Sequence, residues 1–424
     1  VLMEDGERAR SSKATDWESL LSMGQEFGHE NPDTYEEGWR SIQPDALAML
    51  VYTSGTTGPP KGVMLTHKNI YRTIEAIAST LPTDNDLGVV FLPLSHSLQR
   101  VAGYAGIYTG GTAVFAERLD KIVDHMREFR PTVQASVPRI YEKIHTKIRA
   151  QVEEASPARQ KVFHWALDVG LQISRLRRSN KRVPMHLAAQ HRLADKLVLS
   201  KIRDVFGGNI RYMLSGAAPI AEELLEFFHA CGVVILEGYG LTETTAPATV
   251  NRLENFRFGT VGQDLPICKT RIADDGEILI KGDNVFAGYW NDEKATNAAF
   301  TEDGWFKSGD VGEKDRDGFL RITDRKKEIL ITAAGKNVSP ANIEKLVRAA
   351  PLISQCVVHG DRSKYLVALI TLEEEEVFAL ADRMGLKTPD SQSLLQHPSI
   401  VSEVQLIVDR CNRNLARYET IKYF

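Results

Sequence analysis

Between Thr53 and Lys61 the chain crowds four hydroxyls (Thr53, Ser54, Thr56, Thr57), two glycines (Gly55, Gly58) and one cation, Lys61, into a single short run. Glycine lets a backbone turn its N–H groups to one side, hydroxyls add donors, and an ammonium adds charge, so these residues can wrap a polyphosphate. A Walker loop needs G-x-x-x-x-G-K-[ST] leading straight into a helix. Here Gly58 is followed by Pro59, Pro60, Lys61 and Gly62, and GVMLT then reads as a strand. The cradle is therefore expected to be a hairpin-like loop with no helix dipole aimed at the anion. A Ser/Thr/Gly-rich surface loop without a ligand is the structural alternative.

The run from Val51 to His67, VYTSGTTGPPKGVMLTH, resembles the signature loop of the adenylate-forming superfamily, which includes acyl- and aryl-CoA synthetases, luciferases and peptide-synthetase adenylation domains. Four further segments follow in the order that superfamily shows. SGAAP, Ser215 to Pro219, ends a strand, where α/β proteins bind ligands, and its Gly216, Ala217 and Ala218 let an adenine ring approach the backbone. EGYGLTE contributes Glu237, Gly238, Tyr239, Gly240, Thr242 and Glu243. Tyr239 offers an aromatic face, Thr242 a hydroxyl for the α-phosphate, and Glu243 a hard oxygen for Mg²⁺, to which Thr56 is also assigned.

The segment DGWFKSGDVGEKDRDGFLRITDRKK, Asp303 to Lys327, resembles the fatty-acyl-CoA synthetase signature. Asp310 can accept hydrogen bonds from both ribose hydroxyls, Arg325 can reinforce that grip, and Ile322 is placed with them in the nucleotide pocket. In TAAGKNVSP, Gly335 permits close approach and Lys336 is expected to meet a phosphate of CoA, with Asp324 as the hinge acid about which this part swings. His96 follows FLPL, where the family places a residue between acyl pocket and nucleotide; a hydrogen-bonded structural histidine is the alternative.

The resemblance implies a two-step reaction. A fatty carboxylate attacks the α-phosphorus of ATP, releasing pyrophosphate and leaving an acyl-adenylate; CoA thiol then takes the acyl group and expels AMP. The first step crowds negative charge, so it calls for donors and cations more than for a strong base, with Lys61, Thr242 and Glu243 in the catalytic role. The long helical insertion and the 25-residue signature resemble the long-chain fatty acid branch. A fatty acyl-AMP ligase serving a carrier-protein thiol, and a non-catalytic nucleotide- or acyl-binding regulator, are the alternatives. Family members add a lysine near the C-terminus, and that motif would fall after Phe424. A polypeptide ending there is expected to bind ATP but adenylate poorly.

These residues need elements to position them. At 424 residues the chain suggests two or three domains, and 43% hydrophobic, 25% charged and a formal net charge of -4 place it among globular proteins with nothing pointing to nucleic acid. The expected class is α/β: a large N-terminal domain over 1–323 of parallel-sheet αβα layers, with a small β-barrel-like subdomain from about 259 to 323. A small mobile α+β domain over 324–424 should follow. One helix, DWESLLSMGQEF, is expected before residue 46, and helices broken near Ser179 and Pro184 between Tyr141 and Arg203. Two helices should close the chain.

Four scattered cysteines read as buried or idle thiols in a reducing cytosol. No apolar run reaches membrane-span length and the start lacks a signal-peptide core, so a cytoplasmic protein is expected. The chain begins without Met and stops in IKYF, which suggests a piece of something longer. Between Pro157 and Arg203 eleven Lys/Arg face two acids. That surplus is either a solvated face or a peripheral contact with an anionic membrane surface. The sequence gives no indication of oligomeric state.

Overall fold

The computed structural model describes residues 15–53, 59–83, 85–333, 336–386 and 391–424. Strands Leu47–Thr53 and Lys61–Thr66 form the expected antiparallel hairpin, with Thr53 opposite Lys61, and Gly288–Tyr289 adds a third strand beside Lys61–Thr66. Thr66 then caps helix His67–Thr80. Its hydroxyl accepts from Asn69 N while the Asn69 side chain accepts from Thr66 N, so strand passes to helix with its first orphan donors satisfied.

The sheets are mixed rather than largely parallel. Leu87–Val90 and Thr112–Phe115 form one parallel pair. Val133–Ser136, Tyr212–Ser215 and Ile235–Leu241 run parallel, but Ala246–Val250 and Gln263–Asp264 extend that sheet antiparallel. The βαβ alternation disclosed the parallel strands; the reversal follows the tight turn after Leu241, too short for a crossover helix. Gln134 joins the two groups. Its Oε1 accepts from Val89 N at 2.9 Å and its Nε2 donates to Val89 O at 2.7 Å, so a side-chain amide stands in for a backbone ladder.

The β-rich stretch is a four-stranded antiparallel sheet, Cys268–Ile272, Glu277–Gly282, Phe306–Lys314 and Leu320–Arg325. A separate core from Val338 to Ile421 is built by helix Pro340–Arg348, strands Ile353–His359 and Leu366–Leu372, and helices Glu374–Met384 and Pro398–Asn412. A final strand, Ile421–Tyr423, pairs parallel to Leu366–Leu372 where only helices were expected. Three residues are too few for a period-2 pattern to show. Ser339 Oγ donates to Thr323 O at 3.3 Å, and the Arg139 guanidinium contacts the Glu373 carboxylate, tying this unit to the rest.

Before residue 46 there are two helices, Trp17–Glu30 and Thr34–Ser41, and neither buries a residue. The second is only eight residues long and carries Gly38 in its interior, which weakens the signal that would announce it. The long helical stretch runs as Pro138–Glu153, Pro157–Arg178 and Met185–Ala194, so Pro157 at a helix start is a break in addition to the one around 179–184. Two of its eleven cations are held internally: Arg178 pairs with Glu226 at 3.0 Å, and Arg203 grips Asp195 with two nitrogens at 2.6 and 2.9 Å. All four cysteines are buried and unbridged. Among the described residues no helix is long and apolar enough to cross a membrane.

Candidate active site

One cavity of about 880 Å³ runs between the hairpin, the carboxyl end of the parallel strands and the four-stranded sheet. Thr53 and Lys61 line it from the hairpin. The loop between them carries Ser54, Gly55, Thr56, Thr57 and Gly58, which lie outside the described residues, as does Gly335; the Thr56 metal assignment falls with them.

Gly216, Ala217, Gly238, Tyr239, Gly240, Thr242 and Glu243 line the same cavity. Their backbone is forced into unusual geometry. Ala217 has φ +67, and after the short turn Thr242–Thr244 both Thr245 and Ala246 sit at positive φ, 52 and 67. Non-glycine residues reach that region at a cost, and such strain collects at functional sites. The turn is pinned by Leu241 N donating to Thr244 Oγ1 at 2.8 Å and by Phe286 N donating to Glu243 O at 2.8 Å. Gly240 is obligatory, because a Cβ there would lie 1.5 Å from Ala246 O.

Asp310 and Arg325 are opposite partners on neighbouring strands, and both line the cavity. Tyr239 Oη donates to Asp310 Oδ2 at 2.6 Å, while Arg325 Nε lies 3.2 Å from Oδ1. Burial raises the Asp310 carboxyl above its ordinary range, and the Tyr239 hydroxyl and Arg325 guanidinium pull it back. His96 lines the cavity too, and it caps helix Ser97–Tyr108: its Nδ1 accepts from Leu98 N at 3.2 Å. In a neutral imidazole that accepts at Nδ1 the proton sits on Nε2, so the capping bond engages one ring nitrogen and leaves the other.

Five expected residues stand apart from the cavity lining. Ala218 lies one residue past the turn that exposes Gly216 and Ala217. Glu237 is buried near Glu222 and Lys345; burial pushes its carboxyl up to about 8 against the pull of Lys345, and its Oε2 has no partner among the described residues. Ile322 packs into the core shared by the hairpin and the four-stranded sheet. Asp324 is buried, its Oδ1 accepting from Arg325 N at 2.7 Å, next to the Thr323 carbonyl that Ser339 reaches. Lys336 is exposed and its N–H donates to Thr332 Oγ1 at 3.1 Å.

Tyr289 was not expected here. It pairs with Val63 in the third strand of the hairpin sheet; its hydroxyl donates to Glu243 Oε1 at 2.9 Å, and Lys61 Nζ lies 4.9 Å from its ring centroid. The only sequence signal was the aromatic pair in AGYW after the strand Glu277–Gly282.

Away from these polar groups one stretch of the cavity wall is lined by small and apolar residues. Val101, Ala102, Ala105 and Gly106 come from helix Ser97–Tyr108, facing Val89 and Ala113 from the parallel pair. Helical spacing of Ala and Gly leaves room beside the helix rather than filling it.

A hairpin, a strained strand end and a paired aspartate around one cavity, on mixed sheets with a separate C-terminal α+β unit, fit the adenylate-forming fold. The chain belongs to the AMP-binding enzyme family: residues 4–290 match that family and 327–423 match the AMP-binding enzyme C-terminal domain.

Among relatives, the long-chain-fatty-acid–CoA ligase FadD15 of Mycobacterium bovis is 40% identical over 391 residues, covering 91% of this chain and 64% of that protein. The long-chain-fatty-acid–CoA ligase ACSBG2 of Gallus gallus is 38% identical, covering 88% and 50%. The chain thus spans under two thirds of these relatives' length. O-succinylbenzoate coenzyme A synthetase of Bacillus subtilis, solved with AMP, superimposes with a TM-score of 0.62 at 26% identity, over 90% of this chain and 66% of that one.

Proposed function

We propose that this chain binds ATP and a long-chain fatty acid in the large cavity described above, joins them as an acyl-adenylate, and passes the acyl group to the thiol of CoA. The observation that carries the reading is that Lys61, Glu243 and Asp310, remote in sequence, line one cavity together with an apolar stretch of wall built by Val89, Val101, Ala102, Ala105 and Ala113. Asp310 would take the ribose hydroxyls, Tyr239 and the Gly216–Ala217 backbone the adenine, and Thr53, Lys61 and Thr242 the phosphates. His96 Nε2–H is set to donate to the acyl carboxylate between the two halves.

Mg²⁺ fits this donor set. Glu243 supplies one carboxylate, and no group of three or more metal-binding side chains occurs among the described residues. Such sparse protein ligation suits an ion that fills its shell with phosphate and water oxygens. When bound, it would neutralise developing charge on the leaving pyrophosphate. The chain's own residues hold the triphosphate in line for attack and exclude bulk water from the acyl carbon.

The same reading divides the chain at Asp324 into a large unit, 1–323, and a small one, 324–424, that swings about that hinge and brings Gly335 and Lys336 to CoA. It also assigns the exposed cations Lys181, Arg182, Arg192 and Lys196, interspersed with exposed Met185, Leu193 and Leu197, to contact with an anionic membrane surface. Full-length protein incubated with ATP, Mg²⁺, palmitate and CoA should yield AMP and palmitoyl-CoA. Adenylate without thioester would replace the CoA step with transfer to a carrier protein, and neither product would sink the reading.

A further inference from the structure

We infer that Tyr289 is a positioning residue that fixes both charged groups at the phosphate end of the cavity, the Glu243 carboxylate through its hydroxyl and the Lys61 ammonium through its ring. The inference rests on the nucleotide reading of this cavity.

The geometry comes from three separate pieces of chain. Lys61 opens the second strand of the hairpin, Glu243 sits in the turn after Leu241, and Tyr289 lies on a two-residue strand that pairs with Val63 and Met64. Backbone links brace the junction: Trp290 N donates to Gly62 O at 2.8 Å, and Ala287 N donates to Met64 O at 3.0 Å. The ring is held in place by Phe286, whose centroid lies 4.9 Å away edge to face, and Tyr289 N donates to Thr296 Oγ1 at 2.9 Å. A tyrosine fixed on so many sides presents its hydroxyl at one point.

At that point Oη donates to Glu243 Oε1, at 2.9 Å. Oε2 has no hydrogen-bond partner among the described residues. One carboxylate oxygen is therefore oriented and the other is left to meet a cation, which is how second-shell donors tune a metal ligand. The ring face meanwhile holds Lys61 Nζ at 4.9 Å without consuming any of its N–H donors, so the ammonium is placed yet free to bond phosphate. If Tyr289 were only a packed aromatic, its hydroxyl would be dispensable.

Two substitutions separate the two contacts. Tyr289→Phe removes the hydroxyl and keeps the ring; Tyr289→Leu removes both. The probe is Mn²⁺ titrated by electron paramagnetic resonance onto wild-type and variant protein saturated with a non-hydrolysable ATP analogue. Loss of a second-shell donor to a metal ligand should weaken Mn²⁺ about tenfold in Tyr289→Phe. Analogue affinity measured without metal should stay within about twofold in Tyr289→Phe and fall in Tyr289→Leu, as a surface cation–π contact predicts. Thermal unfolding checks that Tyr289→Phe is folded. Unchanged Mn²⁺ affinity in a folded Tyr289→Phe overturns the inference and leaves the nucleotide reading standing. Failure of the wild type to bind the analogue at all overturns the nucleotide reading itself.

Discussion

The phenol of Tyr239 reaches from the strand Ile235–Leu241 to Asp310 on the four-stranded sheet, donating a 2.6 Å hydrogen bond to its Oδ2. With Arg325 on the other oxygen, the carboxylate is aimed from both sides, and each oxygen keeps a lone pair for a further donor. Asp310→Asn should weaken ATP binding by about 10- to 100-fold, the range for a hydrogen bond to a charged group. Tyr239→Phe should act through protonation. The hydroxyl holds down a carboxyl that burial pushes up, so its removal raises the Asp310 pKa. The variant's ATP affinity, measured calorimetrically, should therefore fall more steeply than the wild type's as pH drops from 8 to 5.

Glu237 is a stability liability with a defined pH window. Burial raises its folded pKa from 4.5 to about 8, so the folded chain holds a proton that the unfolded chain has released across that interval. Its contribution is fully favourable below pH 4.5 and is lost as pH rises through about 8. Glu237→Gln should be close to neutral at pH 4.5 and stabilising by up to about 4 kcal/mol at pH 8 in denaturant titrations, because the amide never has to ionise. Equal effects at both pH values would contradict this.

Two glycines of the cavity make opposite predictions. Gly240→Ala puts a methyl into the Ala246 carbonyl, where backbone cannot retreat, and should cost about 3 kcal/mol or more. Gly216→Ala meets nothing closer than Gly238 O at 3.6 Å. It should fold normally by circular dichroism and thermal melting, yet bind ATP more weakly because the methyl occupies the cavity wall.

The Arg139–Glu373 pair joins the large unit to the N-cap of helix Glu374–Met384. As a partly exposed pair it is worth about 0.2–1 kcal/mol, so Arg139→Glu should shift the melting temperature little. Proteolysis near Asp324 should nevertheless quicken, and the double reversal with Glu373→Arg should restore the wild-type rate. No change in cleavage in the single variant would mean the contact does not hold the two units together.

The hairpin Leu47–Thr53 and Lys61–Thr66 was legible because it is local: two apolar runs on either side of a glycine- and proline-rich turn announce themselves without tertiary context. So was helix His67–Thr80, which carries its own capping box at Thr66 and Asn69. What stayed hidden is what only long-range packing decides. Glu237 belongs to the same short motif as Tyr239, but the motif cannot show that its carboxyl is buried near Lys345 instead of lining the cavity. Tyr289 meets Glu243 across 46 positions and through a two-residue strand, below the length at which alternation can be read. The antiparallel extension past Leu241 was hidden for the same reason, since pairing partners and not propensity set strand direction.

The facing of Thr53 and Lys61 across the hairpin also makes the strand a gauge for the ammonium. Lys61 shares a face with Val63 and Leu65, and both of those side chains are sealed in the interior. Deleting one residue between Lys61 and Leu65 would have to expose the oily pair or carry the charge round to the back of the ribbon. Hydrophobic burial thus sets the phase of an electrostatic group, and the loop beyond can vary in composition while the cation stays on its side.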